Sequence, residues 1–86
     1  MAKCDFDITH DHEIHKAKKI ITEEITNNNG EIQINDDSGT FALTVPGGEI
    51  RGNVTFKTNA ISVSITDKPT LIPCDIINSV IQSYLE

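Results

Sequence analysis

Long apolar stretches are missing from this 86-residue sequence. No segment approaches the roughly 20 apolar residues that a membrane-spanning helix needs. The amino terminus has no apolar run typical of a signal peptide. These absences predict a protein without a transmembrane segment and with a cytoplasmic location.

Basic side chains are also scarce. Seven Lys and Arg stand against thirteen Asp and Glu, which gives a net charge of −6. The electrostatic field of a negatively charged protein repels a phosphate backbone, so nucleic acid is a disfavoured partner. The one local cluster of cations is Lys16, Lys18 and Lys19, and its spacing is typical of the solvated face of a helix.

Cysteine occurs only twice, at Cys4 and Cys74, far apart and outside any Cys-x-x-Cys pattern. Each cysteine has apolar neighbours, which predicts two reduced thiols in the core. A disulfide or redox pair between them is the alternative interpretation.

Catalytic signatures are missing as well. The sequence has no Gly-x-Ser-x-Gly elbow for a nucleophilic serine. Residues 46–49 form a Pro-Gly-Gly-Glu turn that is too short and too acidic to hold a phosphate. The paired carboxylates Asp36 and Asp37 lie in a turn, where such groups are usually solvated. We therefore predict a protein that is not an enzyme and has no cofactor.

The apolar pattern itself is regular. Apolar residues alternate with polar ones in five segments, which predicts five strands. Elsewhere they recur every three or four residues, which predicts helices over about 12–28 and 73–85. We expect Asp11 to cap the first helix and Gly30 to follow its end. Gly52 occupies an inward position of a strand, which indicates a bulge or a closely crossing helix.

The order of these elements predicts an α+β fold, β-α-β-β-β-β-α, in one domain over residues 1–86. We expect a mostly antiparallel sheet with both helices packed on one face, because every element has one apolar side. The opposite face would carry Ser, Thr, Asn and Gln. Such a face is typically solvated, but it is the largest flat surface that the predicted fold offers to a partner.

All three histidines, His10, His12 and His15, lie within one short acidic segment. Neutral imidazoles bind zinc, copper or nickel, so these three residues form a candidate metal site. Their spacing matches no established zinc signature. In the alternative interpretation, Asp11 and Glu13 stabilise the positive end of the helix dipole while His10 hydrogen-bonds locally.

With these elements placed, the sequence resembles the polyhydroxyalkanoic acid system proteins, a family associated with genes for storage-polyester granules. Members open with a strand that ends in a His, followed seven positions later by a helical Ala, as at His10 and Ala17. A Gly then follows the helix, like Gly30, and a later strand has an apolar-x-Gly-x-apolar step, like residues 50–54. The pattern covers nearly the whole chain and departs at His12, where the family has an apolar residue.

The resemblance implies a non-enzymatic accessory or interaction protein of polyester storage, with no catalytic residues to carry over. Its partner would be another protein, the surface of a storage granule, or a second copy in a homodimer. Because the pattern places apolar residues on inward faces, an oligomer interface or an exposed edge strand is the more natural route to a partner.

The same order of elements also resembles ribosome hibernation-promoting factors and double-stranded RNA-binding domains. That likeness would imply an RNA- or ribosome-binding module. Those proteins bind through basic side chains across their helices, and this chain has no Lys or Arg after Lys68. RNA binding therefore ranks below the interaction role.

Overall fold

The computed structural model describes residues 3–85. The elements are β1 (Cys4–Thr9), α1 (Ile14–Asn27), β2 (Glu31–Asn35), β3 (Ser38–Val45), β4 (Gly48–Lys57), β5 (Ala60–Asp67) and α2 (Cys74–Tyr84). The strands form one antiparallel sheet in the order β1-β5-β4-β3-β2. The predicted α+β class and order of elements are confirmed, and α1 carries the chain from one edge strand to the other.

Both helices pack on the same face of the sheet, as predicted. Ala17 and Ile21 of α1 and Ile77 and Ile81 of α2 join the inward side chains of the strands in one apolar core. Burying a large aliphatic side chain stabilises a fold by roughly 1.5–3 kcal/mol, so this shared core determines where the helices lie. Neither helix in the described residues is long and apolar enough to cross a bilayer.

The start of α1 differs from the prediction. The helix begins at Ile14, and Glu13 precedes it in an extended conformation without a side-chain hydrogen bond to the helix. Asp11 lies in the bend before the helix, so the expectation that it caps α1 is wrong. The reason is local, because the backbone N–H of His12 donates to the ring of His10 at 3.1 Å and shapes this bend as a separate turn.

The end of α1 has a specific geometry. Asn29 adopts a left-handed conformation with φ 62°, and the Gly30 N–H donates to the Ile25 carbonyl oxygen at 2.8 Å. This pattern closes a helix at a left-handed residue. A Cβ at Gly30 would lie 2.6 Å from the Ala42 carbonyl oxygen. Gly30 follows the helix as predicted, but Asn29 makes the turn and Gly30 permits the close approach to β3.

Gly52 marks an irregularity in β4. The pairing of β4 with β5 shifts register between Arg51 and Gly52, and a Cβ at Gly52 would lie 2.5 Å from the Ser64 carbonyl oxygen. The predicted bulge is confirmed. The backbone that approaches closely is that of β5.

The two cysteines form a disulfide, with their Cα atoms 5.8 Å apart. That separation is ordinary for a disulfide, and the prediction of two reduced core thiols is wrong. Cys4 is the first residue of β1 and Cys74 is the first residue of α2. Because α2 runs in the same direction as β1 and covers its inward side, two residues 70 positions apart meet at one end of the sheet.

Candidate functional site

His10 is a buried polar residue, only 8% exposed. Its Nδ1 accepts the His12 backbone N–H at 3.1 Å. A neutral imidazole carries one proton, so this bond places the proton of His10 on Nε2. That Nε2 is buried and has no hydrogen-bond partner among the described residues.

His12 makes a long-range contact. Its Nε2 lies 2.8 Å from the Leu85 carbonyl oxygen. A carbonyl oxygen only accepts, so the His12 Nε2 is the donor and carries a proton. The His10 and His12 rings are stacked, with centroids 5.7 Å apart, and His15 is exposed on α1.

The candidate metal site at His10, His12 and His15 therefore has no assembled ligand set. No group of three or more His, Cys, Asp or Glu side chains within residues 3–85 is placed to hold a metal ion. Zinc needs an unprotonated nitrogen from each histidine ligand and three or four ligands around one point. In this structure the His12 Nε2 carries the proton donated to Leu85, so only its Nδ1 could ligate a metal.

The chain segment before α1, which contains His10 and His12, instead holds α2 in place. The His12 hydrogen bond reaches Leu85, the residue that caps the carboxyl end of this helix, and the disulfide reaches Cys74, the residue that begins it. The amino-terminal segment from Cys4 to His12 thus holds α2 at both of its ends. Neither contact could be read from local spacing, because the partners lie 70 and 73 positions apart.

The sheet face opposite the helices is here called the polar face. Two rows of polar side chains cross all five strands on this face: Gln33, Thr40, Asn53, Ser64 and Asp5, and then Asn35, Ser38, Thr55, Ser62 and Asp7. Hydroxyls donate to both carboxylates, from Ser64 to Asp5 at 2.5 Å and from Ser62 to Asp7 at 2.6 Å. These small side chains can hydrogen-bond a partner, but they offer little apolar area to bury.

One pair of opposite charges near this face is bonded within the chain. The Arg51 guanidinium donates two hydrogen bonds to the same Glu49 carboxylate oxygen, at 3.0 and 2.7 Å. This hydrogen-bonded carboxylate raises the pKa of Arg51 above its ordinary value. The polar face therefore carries less free charge than its composition indicates.

The basic cluster on α1 is reduced in the same way. Lys18 donates to the Asp37 carboxylate at 3.0 Å, while Lys16 and Lys19 are exposed. One of the three cations is thus paired inside the molecule. The surface offers a phosphate backbone less positive charge than the sequence indicates.

The most distinctive surface is an apolar depression of about 260 Å³, here called the α2 groove. It lies between α2, the end of β3, the start of β4 and the end of α1. Its lining residues are Asn28, Leu43, Thr44, Val45, Ile50, Ile72, Ile76, Ile77, Val80, Ile81 and Tyr84. None of these carries a formal charge at neutral pH.

Apolar side chains project at and beside this groove. Leu71 is 93% exposed, Ile76 55% and Val80 41%. The expectation that apolar residues face inward is therefore wrong for Ile76 and Val80 and confirmed for Ile77 and Ile81. In a helix of 3.6 residues per turn, Ile76 and Val80 each stand about 100° around the axis from Ile77 and Ile81, which face the core. The sheet covers one side of α2 and leaves its neighbouring side open.

Tyr84 lies at the end of the groove and is partly buried. Burial raises the pKa of its phenol, and the negative charge of Glu24 raises it further. The phenol therefore stays neutral above its ordinary titration range. This agrees with an apolar, poorly solvated surface at the junction of α1 and α2.

Comparison with known proteins returns no matching family model, no matching curated protein and no matching solved structure. The function must therefore be inferred from the surfaces of the chain itself. Of the two large surfaces, the polar face exposes mainly small polar side chains that water can solvate, whereas the α2 groove exposes apolar area to water.

Proposed function

We propose that the protein is a non-enzymatic interaction protein that binds an apolar side chain of a partner protein in the α2 groove. The observation that carries this proposal is the exposure of Ile76 and Val80 in the groove, with Leu71 exposed beside the groove residue Ile72 in the sequence. Clustered exposed apolar residues mark interaction sites, because leaving them in water costs free energy that a partner recovers.

The size of the groove favours a protein partner. Sites for small molecules and cofactors usually enclose about 300–1,000 Å³, and the groove of about 260 Å³ is smaller and open. A bulky apolar side chain fits such a space and becomes an interface anchor when it fills the pocket. The exposed side chains of Ile76 and Val80 would then be covered by the surroundings of that anchor.

The charge of the groove indicates what the contacting surface carries. Because no lining residue is charged, an ionic group on the partner would lose its hydration there without gaining a counterion. The net charge of −6 also disfavours acidic lipids and nucleic acid as partners. The contacting surface is therefore apolar at its centre and neutral or basic around it.

The resemblance to polyhydroxyalkanoic acid system proteins proposes another occupant, the surface of a polyester granule. The exposed side chains of Leu71, Ile76 and Val80 support contact with such a surface. A concave groove favours a protruding side chain over a flat polymer surface. We therefore argue for a protein partner, and the experiment below distinguishes the granule from it.

Paired substitutions test the proposal. Ile76→Asp with Val80→Asp adds two charges to the groove, and Ser79→Asp with Gln82→Asp adds the same charges to exposed positions of α2 outside it. Each tagged variant is used to capture proteins from cells that express the native chain, and each is sedimented with polyhydroxyalkanoate particles. Circular dichroism confirms that both variants are folded.

The expected result is a defined protein that wild type and the Ser79/Gln82 variant retain and that the Ile76/Val80 variant loses. Equal capture by all three chains would overturn the proposal. Sedimentation of wild type with the particles, lost in the Ile76/Val80 variant and without a captured protein, would also overturn it and assign the groove to the granule surface.

A further inference from the structure

We infer that the Cys4–Cys74 disulfide is a redox-sensitive clasp that holds the first turn of α2 and so maintains one wall of the α2 groove. This inference names a means of regulating the proposed binding site. It depends on the proposed function only for its effect on a partner, because the movement of α2 can be measured without one.

The first turn of α2 has few other attachments to the fold. Pro73 precedes the helix without a side-chain hydrogen bond to it, and the first fully buried residue of α2 is Ile77. Before that residue, only Ile72 and Cys74 are partly buried against the core. The disulfide is therefore the one covalent attachment in the part of α2 that precedes its buried residues, Ile77 and Ile81.

The preceding loop does not replace this attachment. The Lys68 ammonium group donates to the carbonyl oxygens of Ile72 at 2.8 Å and Pro69 at 3.5 Å, both within its own loop. The Ile72 N–H likewise donates to the Pro69 carbonyl oxygen. These bonds shape the loop but do not fasten it to the sheet.

The same stretch forms part of the groove. Ile72 and Ile76 line it from the loop and the first turn, opposite Val45 and Ile50 of the strands. If the first turn of α2 moves away from β1, these two side chains move with it. The groove then loses a wall, while Ile77 and Ile81 still anchor the rest of the helix.

The two sulfur atoms differ in accessibility. Cys4 is 6% exposed on the inward side of β1, and Cys74 is partly exposed at the amino terminus of α2. A dithiol reductant attacks through its thiolate at the Cys74 sulfur, which breaks the disulfide and expels Cys4 as a thiolate that takes up a proton. The second thiol of the reductant then displaces Cys74 from the mixed disulfide. Two electrons pass to the protein, and the reductant leaves as a disulfide.

The reduced state is chemically accessible to this chain. Disulfides persist in oxidising compartments and are rare in a reducing cytoplasm. Reduction of the disulfide would therefore open the clasp, and oxidation would close it.

Amide hydrogen exchange tests the clasp directly. Four samples are compared: the oxidised protein, the protein reduced with dithiothreitol, and a Cys4→Ser/Cys74→Ser variant with and without dithiothreitol. Removing a disulfide also lowers global stability, so the readout is the difference between α2 and the strands β4 and β5. We expect exchange in the first half of α2 to rise at least about tenfold more than in β4 and β5.

The double serine variant should match the reduced protein and show no response to dithiothreitol. A rise of equal size in α2 and in the strands would overturn the clasp, since the disulfide would then contribute only global stability. An unchanged α2 would overturn it as well. If α2 responds but the Ile76/Val80 substitutions leave partner capture unchanged, the clasp stands and the proposed binding function fails.

Discussion

His12 and Leu85, 73 positions apart, are joined by a hydrogen bond of 2.8 Å from the imidazole Nε2 to the backbone carbonyl oxygen. This bond ties the segment before α1 to the end of α2. The carbonyl groups at the end of a helix lack partners within the helix, and His12 supplies one. A residue that the sequence offers as a metal ligand therefore acts as a helix-end contact.

Replacing His12 with Ala should lower the free energy of unfolding by about 1 kcal/mol, the usual net value of one such bond. For a domain of this size that corresponds to a fall in Tm of roughly 4–8 °C. The matched control is His15→Ala, because His15 lies close to His12 in the sequence and its side chain is exposed. Equal losses in the two variants, measured by thermal denaturation, would contradict the role assigned to His12.

Zinc should not stabilise the protein. A ligand that binds only the folded state raises Tm once its concentration exceeds its Kd, and residues 3–85 contain no assembled group of three metal-ligating side chains. Melting curves with added zinc and with a chelator should therefore coincide. A rise in Tm that disappears in the His12→Ala variant would restore the metal site at His10, His12 and His15.

The stability of the protein should depend on Tyr84 at alkaline pH. Burial and the charge of Glu24 raise the pKa of this phenol in the folded state, so folding favours the neutral form. Its contribution is complete below the unfolded pKa of about 10 and is lost as pH rises through the higher folded value. Wild type should lose stability more steeply than Tyr84→Phe above about pH 10.

The titration itself can be followed cleanly, because the chain has one tyrosine and no tryptophan. Ultraviolet absorbance of the phenolate should show a midpoint above that of the urea-unfolded protein. Coincident midpoints in folded and unfolded protein would refute the assigned burial.

Gly52→Ala should destabilise the sheet by about 1–3 kcal/mol, the usual cost of an added group in a packed interior. The new Cβ would lie 2.5 Å from the Ser64 carbonyl oxygen, and backbone must move to admit it. The neighbouring Asn53→Ala on the exposed side of β4 is the control and should change stability little. Urea denaturation that ranks Asn53→Ala as the more damaging change would contradict the observed packing of β4 on β5.

The fold could be predicted from the sequence because its information is local. The alternation of Ile61, Val63 and Ile65 and the four-residue spacing of Ala17, Ile21 and Ile25 show which side of each element is buried. The observed helix starts at Ile14, later than the predicted range of 12–28, and the reason is also local. A hydrogen bond from the His12 backbone to the His10 side chain competes with helix formation there.

The surface features could not be predicted in the same way. The pairing of Cys4 with Cys74 requires knowing that α2 returns along β1, and the apolar pattern carries no such distance information. The α2 groove could not be predicted from the sequence for a related reason. Ile76 and Ile77 have the same hydropathy, and only the position of the helix on the sheet decides that Ile77 is buried and Ile76 exposed.

The most direct test of the binding role is photo-crosslinking from defined positions on α2. A benzophenone side chain is introduced at Ile76, in the groove, or at Gln82, exposed on the same helix outside it. Irradiation in cells that express the native chain should join one defined partner protein to position 76 and leave position 82 unlinked. Equal crosslinking at both positions, or none at position 76, would contradict the assignment of the α2 groove as the binding site.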